Sequence, residues 1–228
     1  MANEQEKEAA AQASLKFIED GQVVGIGTGS TAAYFIKSLG EQVNNGLRIR
    51  CIPTSEHSRQ LAASLGIPLT TLDECPEIDV TVDGADEVDP QLRLIKGGGG
   101  ALLREKIVAS ASRQVVIVAD SSKRVPVLGK FGLPVEVIKF AQAVVKNKIE
   151  ALGARVSLRQ QHGRPYLTDE NNYIFDCHFG EIADPNRLAR QLSDIPGMVE
   201  HGLFIALASV VLIAAGREVI ELRPPKNI

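Results

Sequence analysis

The segment GIGTGST, Gly25 to Thr31, is the first of three loops whose residue types could do chemistry. It lies between an apolar run and a stretch of helical spacing, so its amides and hydroxyls could cradle a phosphate. A tight turn without a ligand is the alternative. The glycines also fit a dinucleotide fingerprint, but about 20 residues further on the sequence reads CIPTS, without the acid that would bind a ribose. The Walker A pattern of nucleoside triphosphatases is absent.

The segment DGADE, Asp83 to Glu87, is the second loop and places three acids directly after the apolar run IDVTV. Such a pattern fits a solvated turn, a divalent-metal site or a set of carboxylates for sugar hydroxyls. Hard metals usually recruit further carboxylates, whereas the next loop along the chain offers a lysine. We therefore favour sugar hydroxyls as the ligands and predict no metal site.

The segment KGGGGALLREK, Lys96 to Lys106, is the third loop. Its four glycines leave amides exposed at the start of a helix and Lys96 adds a positive charge, which resembles an oxyanion hole. Glu105 follows about one and a half helical turns beyond the loop and, taken alone, would be interpreted as a surface glutamate. Lys7 and Lys123 are equally ordinary alone, and both could reach a phosphate.

Together these features form the set that an aldose–ketose isomerase working through an enediolate requires. A base removes a proton from the carbon next to the carbonyl and returns it to the neighbouring carbon, while fixed donors stabilise the negative oxygen. No cofactor is predicted for this chemistry. The four histidines lack the spacing of a zinc site, and no Ser-His-Asp set is visible.

Apolar runs that alternate with helical spacing must position these loops. We predict helices over 4–20, 31–43, 55–65 and 101–110, and strands over 22–26, 47–52, 78–82, 92–95 and 115–119. This alternation predicts an α/β fold with a Rossmann-like, mostly parallel sheet and helices on both faces. Ligands of such sheets gather at the carboxyl ends of the strands, where the three loops lie.

After Gly129 the pattern changes to strand, helix, two strands, helix and strand. The predicted bounds are 135–138, 141–152, 155–159, 173–179, 184–192 and a last strand near Met198. This order predicts a small ferredoxin-like α+β domain, inserted at residues 130–202. The apolar segment from Leu203 is expected to be a buried strand of the first sheet, so that residues 1–129 and 203–228 form the catalytic domain.

Composition restricts the partners and the compartment. A net charge of −3 and an aromatic share of 4% argue against a nucleic-acid partner. The N-terminus lacks the apolar core of a signal peptide, and the longest apolar run is shorter than the roughly 20 residues of a membrane span. The three cysteines lack the close spacing of a zinc or redox site. We expect a cytoplasmic protein with reduced thiols and no membrane partner.

The motifs GTGSTA, DGADEVD, KGGGGALLREK and PGMVEHGLF together closely resemble the type A ribose-5-phosphate isomerases, from the first helix to about Leu207. GTGST alone also fits sugar-phosphate deaminases and CoA transferases. The resemblance implies interconversion of the sugar phosphates D-ribose 5-phosphate and D-ribulose 5-phosphate in the non-oxidative pentose phosphate pathway, without a metal, by a homodimer. The tail Ser209 to Ile228 follows the family pattern less closely, which leaves the bounds of the last strand open.

The resemblance also implies residue roles. Glu105 matches the catalytic base, and Asp83, Asp86 and Lys96 match residues that contact the sugar during ring opening and enediolate formation. The phosphate-binding positions are matched by Lys7, Thr28, Gly29, Ser30, Thr31 and Lys123. Further substrate-binding positions are matched by Gly84, Ala85, Gly97, Gly98 and Gly99. A non-catalytic sugar-phosphate sensor is the alternative from a different class; it would need no base, and no output module is visible in the sequence.

Overall fold

The computed structural model describes residues 2–216 and 218–224. Its helices are α1 (Ala2–Ser14), α2 (Ser30–Asn44), α3 (Glu56–Ser64), α4 (Leu102–Ser110), α5 (Gln142–Ala151) and α6 (Pro185–Ser193). Its strands are β1 (Val23–Ile26), β2 (Arg50–Pro53), β3 (Ile78–Gly84), β4 (Glu87–Val88), β5 (Leu94–Ile95), β6 (Ser112–Asp120), β7 (Leu133–Val137), β8 (Arg155–Leu158), β9 (Gln160–Gln161), β10 (Arg164–Pro165), β11 (Tyr173–His178), β12 (Met198–His201), β13 (Leu203–Phe204), β14 (Val210–Ala215) and β15 (Glu218–Leu222). Short 3-10 turns occupy Leu15–Phe17, Ser121–Lys123 and Lys139–Ala141.

The first of two compact units is built on a six-stranded sheet. This unit comprises Met1–Ala85, Arg104–Arg124 and Ala206–Ile228. The strand order is β15-β14-β6-β3-β1-β2, and every neighbouring pair is parallel except β14 with β15. The predicted mostly parallel α/β sheet is confirmed.

Helices cover both faces of this sheet, as predicted. Val24 of β1 packs in a core with α1 and α2, whereas its neighbour Val23 packs with Val108 of α4. Successive side chains of a strand point to opposite faces, so these helices lie on opposite sides. Burial on both faces explains why the central strands are continuous apolar runs, such as Val115–Ala119, and do not alternate with polar residues.

The second unit comprises Asp86–Leu103 and Val125–Ile205. Its main sheet is antiparallel with the order β12-β7-β11-β8, and α5 and α6 follow the first and third of its strands in chain order. This βαββαβ order, with the last strand beside the first, confirms the ferredoxin-like prediction. The insertion bounds of 130 and 202 stay a prediction, since residues 86–103 also pack in this unit.

Two predictions about the apolar strands need correction. Leu203–Phe204 and Leu94–Ile95 do not join the six-stranded sheet but pair with each other, next to β4, in a separate three-stranded sheet. Of the segment that begins at Leu203, only Val210–Ala215 joins the first sheet. The tail adds Glu218–Leu222 to the edge of the same sheet, a strand that was not predicted. Residues 203–215 are apolar except for Ser209, so hydrophobic pattern alone cannot show that they form two strands in different sheets. Residues 1, 217 and 225–228 of the predicted domain lie outside the described residues.

Across residues 2–216 and 218–224, no helix is long and apolar enough to cross a membrane.

Candidate active site

The carboxyl edge of the first unit's sheet collects several predicted residues. β1, β3 and β6 are parallel, and β3 lies between the other two. Thr28 follows β1, Asp83 is the penultimate residue of β3, and Lys123 lies in the turn directly after β6. Because these strands run in the same direction, the three residues lie along one edge, as predicted.

The segment Gly25–Thr31, here called the β1 loop, is held by hydroxyl groups. Thr28 Oγ1 lies 2.7 Å from both Thr54 Oγ1 and Ser55 Oγ, and Ser58 Oγ donates to the Gly27 carbonyl at 2.6 Å. Thr54 and Ser55 directly precede α3, where either hydroxyl would be expected to cap the helix. Ser55 is that cap, accepting from Ser58 N at 3.1 Å, but its hydroxyl also fixes the loop. No local pattern signals this second role.

Asp83 is buried and its carboxylate organises the same loop. Asp83 Oδ1 accepts from Thr28 N at 3.1 Å and from Gly84 N at 2.7 Å. A side chain at Gly27 would overlap the Asp83 carboxylate and would lie only 2.6 Å from its Cα. Glycine is therefore required at residue 27 for the close approach of β1 and β3.

Glu6 connects the two segments that carry the predicted phosphate lysines. It accepts from Ser121 N at 3.0 Å, from Ser121 Oγ at 2.8 Å and from Gly216 N at 2.8 Å. The donors on Gly216 and Ser121 hold the pKa of the Glu6 carboxyl below its ordinary value. Lys7 is the next residue of α1, and Lys123 lies in the turn that begins at Ser121. No motif in the sequence points to Glu6.

Glu105 is not a surface glutamate. It lies in the first turn of α4 and is only 4% exposed. Val108 of this helix lies against Gly25 of β1, and Arg104 lines the same cavity as Pro53, the last residue of β2, so the first turn of α4 lies near the carboxyl edge of the sheet.

Lys96, in the second unit, is buried with only 3% exposed. Its backbone N–H donates to the Gly202 carbonyl at 2.9 Å, and its Nζ lies 5.4 Å from the centre of the Phe204 ring. An ammonium over an aromatic face is stabilised by the electrostatics of the ring. The structure therefore fixes the charge of Lys96 at one end of the glycine segment.

The glycines after Lys96 pack against Asp86. The segment Lys96–Gly100, here called the lysine loop, donates from Gly98 N to Asp86 Oδ2 at 2.7 Å. A Cβ at Gly98 would lie 2.9 Å from Asp86 Cγ, and Gly97 has a φ of +97°, in the left-handed region. Arg159 Nη1 donates to the carbonyls of Gly97 and Gly98 at 2.9 and 3.1 Å. Arg159 was missed because it lies 62 residues from Gly97 along the chain.

The third acid of DGADE has a structural role. Glu87 is buried, and its two carboxylate oxygens accept from Gly129 N at 2.7 Å and from Phe131 N at 2.6 Å. These bonds fix the backbone at residues 129–131. We therefore do not expect Glu87 to bind a sugar hydroxyl, in contrast to the other two acids of this segment.

The three cysteines, Cys51, Cys75 and Cys177, are buried and unoxidised. Burial raises the pKa of the Cys51 thiol to about 12 and also raises that of Cys177, so these thiols are unreactive near neutral pH. Within the described part of the chain, no three His, Cys, Asp or Glu side chains are grouped so that they could hold a metal ion.

The chain is similar to known proteins over most of its length. A family model described as "Ribose 5-phosphate isomerase A (phosphoriboisomerase A)" matches residues 50–218. The ribose-5-phosphate isomerase A of Parvibaculum lavamentivorans is 51% identical over 97% of this chain and 100% of the relative.

The fold of the chain also matches solved structures. A D-ribose-5-phosphate isomerase in complex with phospho-erythronic acid has a TM-score of 0.95 at 41% identity, covering 98% of this chain and 100% of the other. The ribose 5-phosphate isomerase A of Methanocaldococcus jannaschii has a TM-score of 0.92 at 40% identity, covering 96% and 99%. The chain belongs to the ribose 5-phosphate isomerase A family.

Proposed function

We propose that the chain interconverts D-ribose 5-phosphate and D-ribulose 5-phosphate through an enediolate, in the non-oxidative pentose phosphate pathway. The observation that carries this proposal is the burial of Glu105 in the first turn of α4, at the sheet edge that also carries the β1 loop and Lys123. A buried carboxylate beside an anion-binding loop is suited to proton abstraction from a phosphorylated sugar.

Glu105 acts as the base. It takes the proton from C2 of open-chain ribose 5-phosphate; the electrons of that C–H bond form the C1=C2 double bond, and the carbonyl electrons move to O1. The hydroxyl proton then passes from O2 to O1, and Glu105 returns its proton to C1. Lys96 and the amides of Gly97–Gly99 stabilise the negative oxygen of the enediolate.

The phosphate is bound in the first unit by Lys7, Lys123 and the backbone and hydroxyls of residues 28–31. The start of α2 at Ser30 supplies amides and the positive end of a helix dipole. Lys7 donates to Glu4 at 2.8 Å, an ion pair with a largely exposed partner that a phosphate can replace.

The acidic segment 83–86 contacts the sugar. Asp83 and Asp86 accept hydrogen bonds from sugar hydroxyls and assist ring opening, and Gly84 and Ala85 between them contribute backbone contacts. Each of the two carboxylates accepts a backbone N–H bond from a glycine loop, which fixes the position of its side chain. The phospho-erythronic acid in the related structure carries a phosphate and a carboxylate, the anionic groups that the phosphate-binding residues and the lysine loop would hold.

Three further features complete the proposal: the protein is a homodimer, it works in the cytoplasm, and it needs no metal. Sedimentation of the purified chain would test the dimer; a mass of one chain, about 24.5 kDa, would contradict it. Turnover should survive excess EDTA. Loss of turnover in EDTA would instead support a metal site in the acidic segment.

The deciding experiment incubates the purified protein with ribose 5-phosphate and measures ribulose 5-phosphate. Glu105→Gln should lower kcat by roughly 10² to 10⁴ with little change in KM, because the variant keeps the shape but cannot transfer a proton. Glu41→Gln, the same change at an exposed position of α2, is the matched control and should be unaffected. A near-normal kcat for Glu105→Gln would remove this residue from the mechanism. If the unmodified chain binds ribose 5-phosphate without converting it, the alternative of a non-catalytic sugar-phosphate sensor is favoured.

A further inference from the structure

The carbonyl groups of the lysine loop are bound by a charged side chain from a distant part of the second unit. Arg159 follows β8 and is 14% exposed at its side chain. Its Nη1 donates to Gly97 O at 2.9 Å and to Gly98 O at 3.1 Å. One guanidinium nitrogen therefore fixes two consecutive peptide groups.

This pair of bonds sets the direction of the amides. In a trans peptide, the C=O of one residue and the N–H of the next point in opposite directions. With the Gly97 and Gly98 carbonyls turned toward Arg159, the N–H groups of Gly98 and Gly99 point away from it. The Gly98 N–H does so, donating to Asp86 Oδ2 at 2.7 Å. The Gly97 carbonyl also accepts from Gly100 N at 3.0 Å, which closes the turn.

Arg159 is itself fixed. Its Nε donates to Asp176 Oδ2 at 3.1 Å, and Nη2 donates to the other oxygen of the same carboxylate, a two-bond arrangement that holds the guanidinium plane. The ring of Tyr166 lies 5.9 Å from the guanidinium carbon. Burial raises the pKa of Tyr166, so its hydroxyl stays protonated, and it donates to Gly99 O at 3.5 Å. The three side chains belong to the segment that follows Gly129.

We propose that Arg159 is a positioning residue for the lysine loop: it holds the Gly97 and Gly98 carbonyls so that the Gly98 N–H is kept on Asp86, a sugar-binding carboxylate, and the Gly99 N–H is directed at the substrate oxygen. Its positive charge also polarises these peptide groups, which strengthens the N–H donors toward a developing negative charge. The inference rests on the proposed function and gives the segment that follows Gly129 a role in catalysis. It predicts that Arg159 lowers the barrier of the enediolate step without touching the substrate.

The test compares Arg159→Ala with Arg155→Ala, which removes the same charge from an exposed position of β8. Arg159→Ala should lower kcat about 10- to 100-fold and leave KM within about twofold, since the amides contribute mainly to the transition state. Added guanidinium ion at millimolar concentration should restore part of kcat in Arg159→Ala only. Asp176→Asn, which keeps the guanidinium but loosens it, should give an intermediate kcat.

The outcomes separate the inference from the proposed function. Without turnover by the unmodified protein, the proposed function fails. With normal turnover, the positioning role is overturned if kcat of Arg159→Ala stays within about twofold of the unmodified value. It is also overturned if the loss is accompanied by an equal rise in KM and guanidinium restores nothing. Unfolding curves of both alanine variants establish that folded protein is being compared, and Asp176→Asn keeps the test valid if Arg159→Ala does not fold.

Discussion

In both the β1 loop and the lysine loop, a glycine packs against an acidic residue of the segment DGADE, residues 83–87. The two loops are nevertheless stabilised differently. Gly27 packs on Asp83, whose backbone belongs to β3 in the core of the first unit. Gly98 packs on the half-exposed side chain of Asp86, and its loop is held by Arg159. In the first case a neighbouring strand limits the space; in the second a movable carboxylate does.

This difference separates folding from catalysis. Crowding between the backbones of two central strands is relieved only by moving the strands, so the conformation of the β1 loop depends on the stability of the sheet. The lysine loop depends on charged side chains at its surface, which can be changed while the core of its unit remains packed. We therefore expect substitutions in the β1 loop to affect stability and substitutions in the lysine loop to affect turnover.

The largest expected effect is that of Gly27→Ala. The new methyl group would meet both the carboxylate and the Cα of Asp83, so the free energy of unfolding should fall by about 3 kcal/mol. Urea unfolding measures this loss. Gly40→Ala within α2 is the matched control and should change stability by less than about 1 kcal/mol. Equal stability of Gly27→Ala and the unmodified protein would contradict the proposed dependence on strand spacing.

Glu87→Gln should have the next largest effect and concerns stability alone. One oxygen is replaced by an NH₂ group that cannot accept the bond from Gly129 or Phe131, which leaves a buried donor unsatisfied and costs about 2 kcal/mol. Below the unfolding transition kcat should be unchanged, in contrast to Asp86→Asn. If Glu87→Gln lost turnover at full stability, Glu87 would belong with the catalytic acids.

Gly98→Ala should lower turnover more than stability, the reverse of Glu87→Gln. The methyl group would displace the Asp86 side chain and change the direction of the Gly98 N–H group. We therefore expect kcat to fall about tenfold. Stability should fall by much less than in Gly27→Ala, because the overlapping atoms are at the end of a side chain that can rotate. Parallel kinetics and urea unfolding of the two alanine variants provide the comparison, and equal losses of stability would remove the distinction between the loops.

The smallest effect concerns Glu6 and pH. The folded-state pKa of Glu6 lies below its unfolded value, so the ionised form stabilises the fold above the ordinary pKa of about 4.3 and this contribution is lost as pH falls through the folded-state pKa. The difference in urea midpoint between the unmodified protein and Glu6→Gln should therefore be largest near neutrality and shrink on acidification. Glu8→Gln, at an exposed position of the same helix, is the control. A difference independent of pH would contradict the assignment.

Local pattern predicted most of the elements and the three loops. Val23–Ile26, Ile78–Gly84 and Ser112–Asp120 are long or well bounded apolar runs, and their bounds agree with prediction within a few residues. Leu203–Phe204 was misplaced, because it continues into the apolar run that leads to Val210–Ala215 and the sequence does not mark where one strand ends and the next begins. The hydroxyl network on Thr28 was also invisible, since its members come from a separate βα connection.

The sequence by itself determined the α/β order, the ferredoxin-like order after Gly129 and the motifs that identify the family. Each of these follows from residues that are neighbours along the chain. Tertiary structure alone decided the division of the acids, in which Glu87 bonds to an amide 42 residues away, and the control of the lysine loop by Arg159, 62 residues away. It also decided the contact of Glu6 with Ser121, 115 residues apart. Such side-chain-to-backbone bonds depend on where the folded chain brings its loops, and no local periodicity encodes that.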